Sequence, residues 1–280
     1  MSDGPEVRPR KTGDTTMIKS NPVKALLKDG KPAFGTWITL SPHPRTVKIF
    51  ASSGLDFVIL EMEHTDFSVA TISTLSMLAR EAGLVPIVRT PGTLKAHDLT
   101  RALDGGAQGL LLPSIDTAGQ IEEIITATKY YPRGNRPMNL KGPHTDYFTD
   151  WKPAEIIAHL NEQTMSVVLV ETQKSIDNLD VICKVDGVDA VMIGPDDLSQ
   201  DLGVPGEMGN PKLLEAFDVI FDICKANGVP YGLSCHTTDM ARKWVEKGCT
   251  SLPYSNDAAM VMNAIRVAVP ELMKIGGRSS

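Results

Sequence analysis

The chain repeats one junction: a stretch with helical spacing ends at a glycine, and a short apolar run follows within a few positions. It occurs at Gly54-LDFVIL, Gly83-LVPIVR, Gly106-AQGLLLP, Gly187-VDAVMIG, Gly228-VPYGLS and Gly248-CTSLPY. Glycine accepts the left-handed backbone that closes a helix, and a continuous apolar run of this length suits a strand buried on both faces. Phe34–Leu40 and Ser166–Glu171 lack the leading glycine but share the length and β-branched content of strands. Between the runs, Val69, Ile72, Leu75, Leu78 and Ala79 recur with helical periodicity, as do Ile121, Ile124, Ile125 and Thr128.

Strands that alternate with helices pair in parallel through right-handed crossovers. Eight such units predict a single-domain α/β fold, a (β/α)8 TIM barrel with an extra N-terminal helix. A doubly wound open sheet ranks lower, because no G-x-G-x-x-G turn follows Leu40. A length of 280 residues allows one domain or two at roughly 150 residues each, but barrels reach about 200–250 residues as one. Residues 1–20, with Pro5, Pro9 and mixed charges, read as a disordered tail; 21–270 form the barrel and 271–280 a C-terminal tail.

Composition excludes several classes. Twenty-eight basic against 34 acidic side chains give a net charge of −6, which argues against nucleic acid and anionic lipid as partners. No run approaches the ~20 apolar residues of a membrane span. Cys183, Cys224, Cys235 and Cys249 are scattered without a C-x-x-C pair, which points to a reducing, cytoplasmic setting rather than to a disulfide or zinc scaffold.

In a barrel of this kind, chemistry sits where strands end, on the βα loops. The second strand meets Glu61-Met-Glu63-His64, the third ends at Arg89, the fifth at Glu171, and the sixth at Gly194-Pro195-Asp196-Asp197. Charges at the ends of apolar strands are costly unless paired or coordinating. Glu171 and Asp197 suit a hard divalent cation completed by water and substrate oxygens. Each alone is better read as a carboxylate that accepts backbone N–H groups or pairs with a lysine across the rim, and Arg89 can be read as a salt bridge to Glu61 or Glu63. The coincidence at four strand ends favours a site. Cys235-His236 reads as loop packing, and Ser255-Asn256-Asp257 as a helix cap. Asp104-Gly105-Gly106 ends a helix, which places it at the opposite end of the barrel.

Several segments together resemble the HpcH/HpaI family of class II pyruvate aldolases: E-x-E-H after strand two, V-R-x-P-G at Val88–Gly92, L-D-G-G-A-Q-G at Leu103–Gly109, Y-P-R-G-N-R at Tyr131–Arg136, and V-E-T through G-P-D-D-L-S from Val170 to Ser199. The resemblance runs from roughly Lys24 to Pro270. It implies that Glu171 and Asp197, 26 positions apart, bind Mg²⁺, or alternatively Mn²⁺ or Co²⁺, which chelates pyruvate. It further implies that Arg89 contacts the keto or enolate oxygen, that His64 takes part in proton transfer, and that the backbone of Gly194, Pro195 and Asp196 up to Asp197 holds the carboxylate. Asp104 would help orient such a histidine from a neighbouring subunit. Glu61 stands where the family usually has the shorter Asp, a change expected to re-aim His64 or shift its pKa.

The implied activity is cleavage or formation of 4-hydroxy-2-oxoacids through a pyruvate enolate, with an unidentified aldehyde or other acceptor. One alternative is oxaloacetate decarboxylation, with the enolate used in biosynthesis as in macrophomate synthase. Another is an inactive barrel serving as a binding or assembly module. Family members form ring-like homo-oligomers, often hexamers, and Ala258–Val269 offers an apolar contact surface. The divergent loop Tyr131–Trp151 is expected to select the acceptor.

Overall fold

The computed structural model describes residues 17–92, 96–148 and 150–278. Eight strands, β1 (Ala33–Ile38), β2 (Phe57–Glu61), β3 (Val85–Arg89), β4 (Gly109–Leu112), β5 (Met165–Val170), β6 (Ala190–Ile193), β7 (Tyr231–Leu233) and β8 (Ser251–Asn256), follow one another in spatial order. Each pairs in parallel with the next, and β8 returns to β1 through Ser251 and Leu252 opposite Ala33 and Phe34, closing the barrel. The glycines of the repeated junction all hold positive φ, from +67° at Gly228 to +108° at Gly106. That left-handed turn ends each preceding helix and feeds the chain into a strand.

Inside the apolar runs lies a two-residue alternation. Phe57 and Ile59, Val85 and Ile87, Met165, Val167 and Leu169, and Ala190 and Met192 form one cluster, in the barrel interior. Val58 and Leu60, Val88, Val168 and Val170, and Val191 and Ile193 belong to another, beneath the helices. Both faces are covered, so the runs read as uniformly apolar although their side chains alternate. The helix α3 (Val69–Glu81) buries Ile72, Leu75 and Ala79 and starts at Ser68, whose side chain accepts the Thr71 N–H. Helix α2 (Pro44–Ser52) precedes it, and α4 (Ala96–Asp104) and α5 (Ala118–Thr128) follow, the latter burying Ile121 and Ile125 behind a Thr117–Gln120 capping box. The expected N-terminal helix, α1 (Pro22–Lys28), sends Val23 and Leu27 into the interior cluster and plugs one mouth of the barrel.

The chain ends differ in detail from expectation. Residues 1–16 of the expected tail lie outside the described residues, but Ile18 is buried against Tyr130, Ile156 and Leu160, ahead of the expected boundary at 21. After α8 (Leu179–Cys183), α9 (Pro195–Asp201), α10 (Pro211–Ala226) and α11 (Thr238–Glu246), the last helix, α12 (Asp257–Ile275), continues through Pro270, and residues 279–280 lie outside the described residues. Among the described residues no helix is long and apolar enough to cross a membrane.

The loop Tyr131–Trp151 does not lie where a loop that selects the acceptor within one barrel would be expected. It leads from α5 to α6 (Pro153–Gln163), which feeds directly into β5, so it lies at the N-terminal end of the barrel and not at the rim formed by the C-terminal ends of the strands. An αβ connection returns the chain to the start of a strand and cannot line the strand ends within the same barrel. Arg136 pairs there with Asp104, Asp146 accepts from Arg80 Nη2 at 2.7 Å, and the His144 ring nitrogens lie 3.2 and 2.8 Å from the carbonyl oxygens of Asp104 and Asn139.

Candidate active site

The interior alternation continues one step past the apolar part of each strand. Glu61 follows Ile59, Arg89 follows Ile87, Glu171 follows Leu169 and Gly194 follows Met192, so these four positions face the C-terminal mouth of the barrel. Trp37 reaches the same level on β1. Trp37, Glu61, Arg89, Gly194, Pro195, Asp196 and Asp197 line a cleft of about 210 Å³ whose other wall carries Ser234, His236, Ser255 and Asn256.

Arg89 is tightly held. Its Nε lies 2.6 Å from Glu61 Oε2 and 3.5 Å from Glu63 Oε2, and its guanidinium carbon sits 5.2 Å from the centre of the Trp37 ring. The N–H does not point along the contact to Glu61, so the interaction is an ion pair rather than an aligned hydrogen bond. The salt-bridge reading of Arg89 is thus realised, yet the side chain still faces the cleft, and its Nη atoms make no hydrogen bond among the described residues. Glu61 is 3 % exposed, and its other oxygen accepts the backbone N–H groups of Glu63 at 2.7 Å and His64 at 3.2 Å. It shapes the turn that carries His64 without touching the imidazole. The His64 side chain is exposed, with Nε2 3.8 Å from Glu63 Oε2.

Glu171 is buried beside Gly194, which lines the cleft. Its Oε1 accepts the Ser114 N–H at 2.7 Å and the Ser114 hydroxyl at 3.3 Å. A Cβ added at Gly194 would lie 3.3 Å from both the Cβ and Oε2 of Glu171, so the missing side chain there leaves the carboxylate its room. Burial pushes the Glu171 carboxyl above the usual carboxylate range; the Ser114 donors oppose this, and the charges of Asp197 and Glu63 reinforce it. A buried carboxylate beside two like charges is the environment that a bound cation relieves.

Among the described residues no group of three or more His, Cys, Asp or Glu side chains could hold a metal ion. Glu171 feels the charge of Asp197, and two carboxylates alone would suit a Mg²⁺-like ion that keeps water and takes its remaining oxygens from elsewhere. Pro195 opens the short helix Pro195–Asp201, whose first-turn amides, at Asp196 and Asp197, have no partner within the helix. Asp104 is not brought to this group. It ends α4 at the far mouth of the barrel, so within one chain it cannot reach His64.

The chain as a whole has counterparts among known proteins. The family model for HpcH/HpaI aldolase/citrate lyase matches residues 34–264. The chain belongs to this family. It is 29 % identical over 250 residues to the 5-keto-4-deoxy-D-glucarate aldolase of Escherichia coli O139:H28 (strain E24377A / ETEC), covering 87 % of this chain and 93 % of that one. The solved structure of the HpcH/HpaI aldolase from Desulfitobacterium hafniense DCB-2 matches with a TM-score of 0.84 at 31 % identity, over 89 % of this chain and 96 % of the other. Macrophomate synthase shares the fold, with a TM-score of 0.82 at 22 % identity over 94 % and 92 % of the two chains. As a member of an aldolase family related along most of its length, the chain is a lyase.

Sequence reasoning missed part of the cleft. Trp37 was legible in principle, as the inward residue two past Gly35. Of the pair expected to pack within its loop, Cys235 is buried, with Sγ 3.7 Å from the Pro253 oxygen, whereas His236 lines the cleft. Asn256 caps α12 as expected, accepting the Ala259 N–H at 2.7 Å, and also faces the cleft. No local signal marked Ser114.

Proposed function

We propose that this lyase is a divalent-metal-dependent aldolase that cleaves or forms 4-hydroxy-2-oxoacids through the enolate of pyruvate. The observation that carries the reading is Glu171, buried just past the end of β5 with like-charged neighbours Asp197 and Glu63, at the same end of the barrel as the cation Arg89. Glu171 and Asp197 would hold Mg²⁺, Mn²⁺ or Co²⁺, which when bound supplies a Lewis acid for the oxygens of the oxoacid. Arg89, fixed by Glu61 and Trp37, offers its free Nη donors to the oxygen on which negative charge develops as the C3–C4 bond breaks. In cleavage the C4 hydroxyl loses its proton as the aldehyde forms, and the exposed His64 imidazole is suited to move that proton. The N–H groups of Asp196 and Asp197, following Gly194 and Pro195, orient the substrate carboxylate.

The acceptor meets the wall of Ser234, His236 and Asn256. The same Arg89 arrangement supports loss of CO₂ from oxaloacetate, which also passes through an enolate, so decarboxylation is the second activity to assay. For Asp104 to aid His64, a second copy must bring it there. We place that contact in a homo-oligomer built on α12, where Val261, Met262, Ile265, Val269 and Leu272 are all exposed. The four unpaired, buried thiols support a cytoplasmic setting.

The test is pyruvate release from a panel of 4-hydroxy-2-oxoacids and from oxaloacetate, with Mg²⁺, Mn²⁺ or Co²⁺ and with EDTA. Metal-dependent release that Glu171→Gln abolishes is expected. Absence of pyruvate from every substrate and metal would overturn the proposal and favour a non-catalytic barrel.

A further inference from the structure

Ser114 is one of four non-glycine residues with positive φ among the described residues, at φ +58°. It follows Pro113 directly after β4, where nothing in the sequence calls for a left-handed turn. A serine there is conformationally costly and persists only where its surroundings hold it. The consequence of that backbone is local and specific: the Ser114 N–H points at Glu171 Oε1 at 2.7 Å, with the hydroxyl at 3.3 Å.

The loop around Ser114 is tied on both sides. The Gln120 amide of α5 donates to the Ser114 carbonyl at 3.3 Å, while its oxygen accepts the N–H groups of Asp116 and Thr117, each at 2.9 Å. Asp116 in turn accepts the hydroxyl of Thr172, the residue after Glu171, at 2.6 Å. On the other side lies Gly92, where a Cβ would come 2.9 Å from Ser114 Oγ and 3.2 Å from its Cβ. Gly92 itself donates its N–H to Glu63 Oε1 at 3.3 Å. Loops β3–α4, β4–α5 and β5–α7 (helix α7, Gln173–Asp177) thus meet at one serine.

We infer that Ser114 is a positioning residue whose left-handed backbone N–H clamps Oε1 of Glu171, leaving Oε2, the oxygen beside Gly194, to face a cation as a single fixed donor. This rests on the reading of Glu171 as a cation ligand. The clamp acts through the amide and the φ angle, with the hydroxyl as the lesser contact. A carboxylate with one oxygen already bound presents a defined lone pair instead of a freely rotating pair of oxygens, which suits a cation with strict octahedral demands.

The two contributions separate by substitution. Ser114→Gly loses the hydroxyl but adopts φ +58° without cost; Ser114→Thr keeps a hydroxyl but, being β-branched, resists that backbone. The experiment titrates Mn²⁺ into the purified full chain without substrate and reads free ion by electron paramagnetic resonance, with circular dichroism melts as a folding control. Ser114→Gly is expected to bind Mn²⁺ within about threefold of wild type, and Ser114→Thr at least tenfold more weakly. Ser114→Asn, which tolerates the left-handed region, is expected to bind like wild type and supplies the comparison if the Thr variant does not fold. Weak binding by the Gly and Asn variants would assign the contact to the hydroxyl and overturn the backbone clamp. Unchanged binding in all variants would overturn it as well, while leaving the metal reading intact. A wild type that binds no Mn²⁺ would remove the metal reading and the clamp together.

Discussion

Replacing Glu61 by Gln tests whether the buried ion pair, and not the turn alone, holds the rim. The carboxylate is 3 % exposed, sits 2.6 Å from Arg89 Nε and accepts two backbone N–H groups through its other oxygen. Glutamine preserves an acceptor for those amides but removes the counter-charge and sets an NH₂ against the guanidinium. Removing one partner of a buried pair costs about 3–5 kcal/mol where the remaining charge is left alone. Arg89 keeps Glu63 at 3.5 Å and the Trp37 face, so the expected loss is smaller, about 2 kcal/mol. In a chain of this size that corresponds to a fall in Tm of about 3–4 °C. The assay is a thermal melt of wild type, Glu61→Gln, Arg89→Met and the double variant. The double variant is expected to be less destabilised than the sum of the singles by about 1–2 kcal/mol, the signature of direct coupling. A melt shift under about 1 °C, or strict additivity, would refute the reasoning.

Arg89→Ala should lower kcat by about 10²–10³-fold while Mn²⁺ binding stays at the wild-type level; loss of Mn²⁺ would contradict the division of labour between Arg89 and the carboxylates. Lys129 is fully buried, donating to the carbonyls of Asn161 and Thr164, and burial pushes its pKa down to about 7. Its unfolded value is near 10.4, so between about pH 7 and 10 the unfolded state binds more protons and stability rises with pH, by up to about 1.4 kcal/mol per unit. Urea melts of Lys129→Met across that window should show a flatter profile, and an unchanged slope would exclude Lys129 as its source. Val261→Asp combined with Ile265→Asp on α12 should reduce the mass seen by light scattering; a mass equal to wild type would show that this helix does not join subunits.

Much of the barrel was legible because its determinants are local. A glycine that permits positive φ and a run of β-branched residues specify a helix end and a strand without reference to the rest of the chain. The rim charges Glu61, Arg89 and Glu171 were legible for the same reason, since each interrupts an apolar run at its C-terminal end. Glu61 was expected to act on the His64 ring, however, and instead holds Arg89 and the backbone of the turn. That choice depends on which neighbour β3 places opposite β2, and Glu61 pairs with Arg89 in the strand register.

The sequence by itself determined the eightfold repeat and the residues that end each strand, because periodicity and turn chemistry act over a few residues. Only the tertiary structure decided which face those residues occupy and which loops meet them. Closure of the barrel sets the inward alternation that gathers Glu61, Arg89, Glu171 and Gly194, and it sends the loop Tyr131–Trp151 to the far mouth, where it grips Asp104. Ser114 shows the division most clearly. Its left-handed backbone is not called for by the residues around it, and it sits where Gly92 and Glu171, brought from the units on either side, meet the turn that Gln120 ties to Ser114.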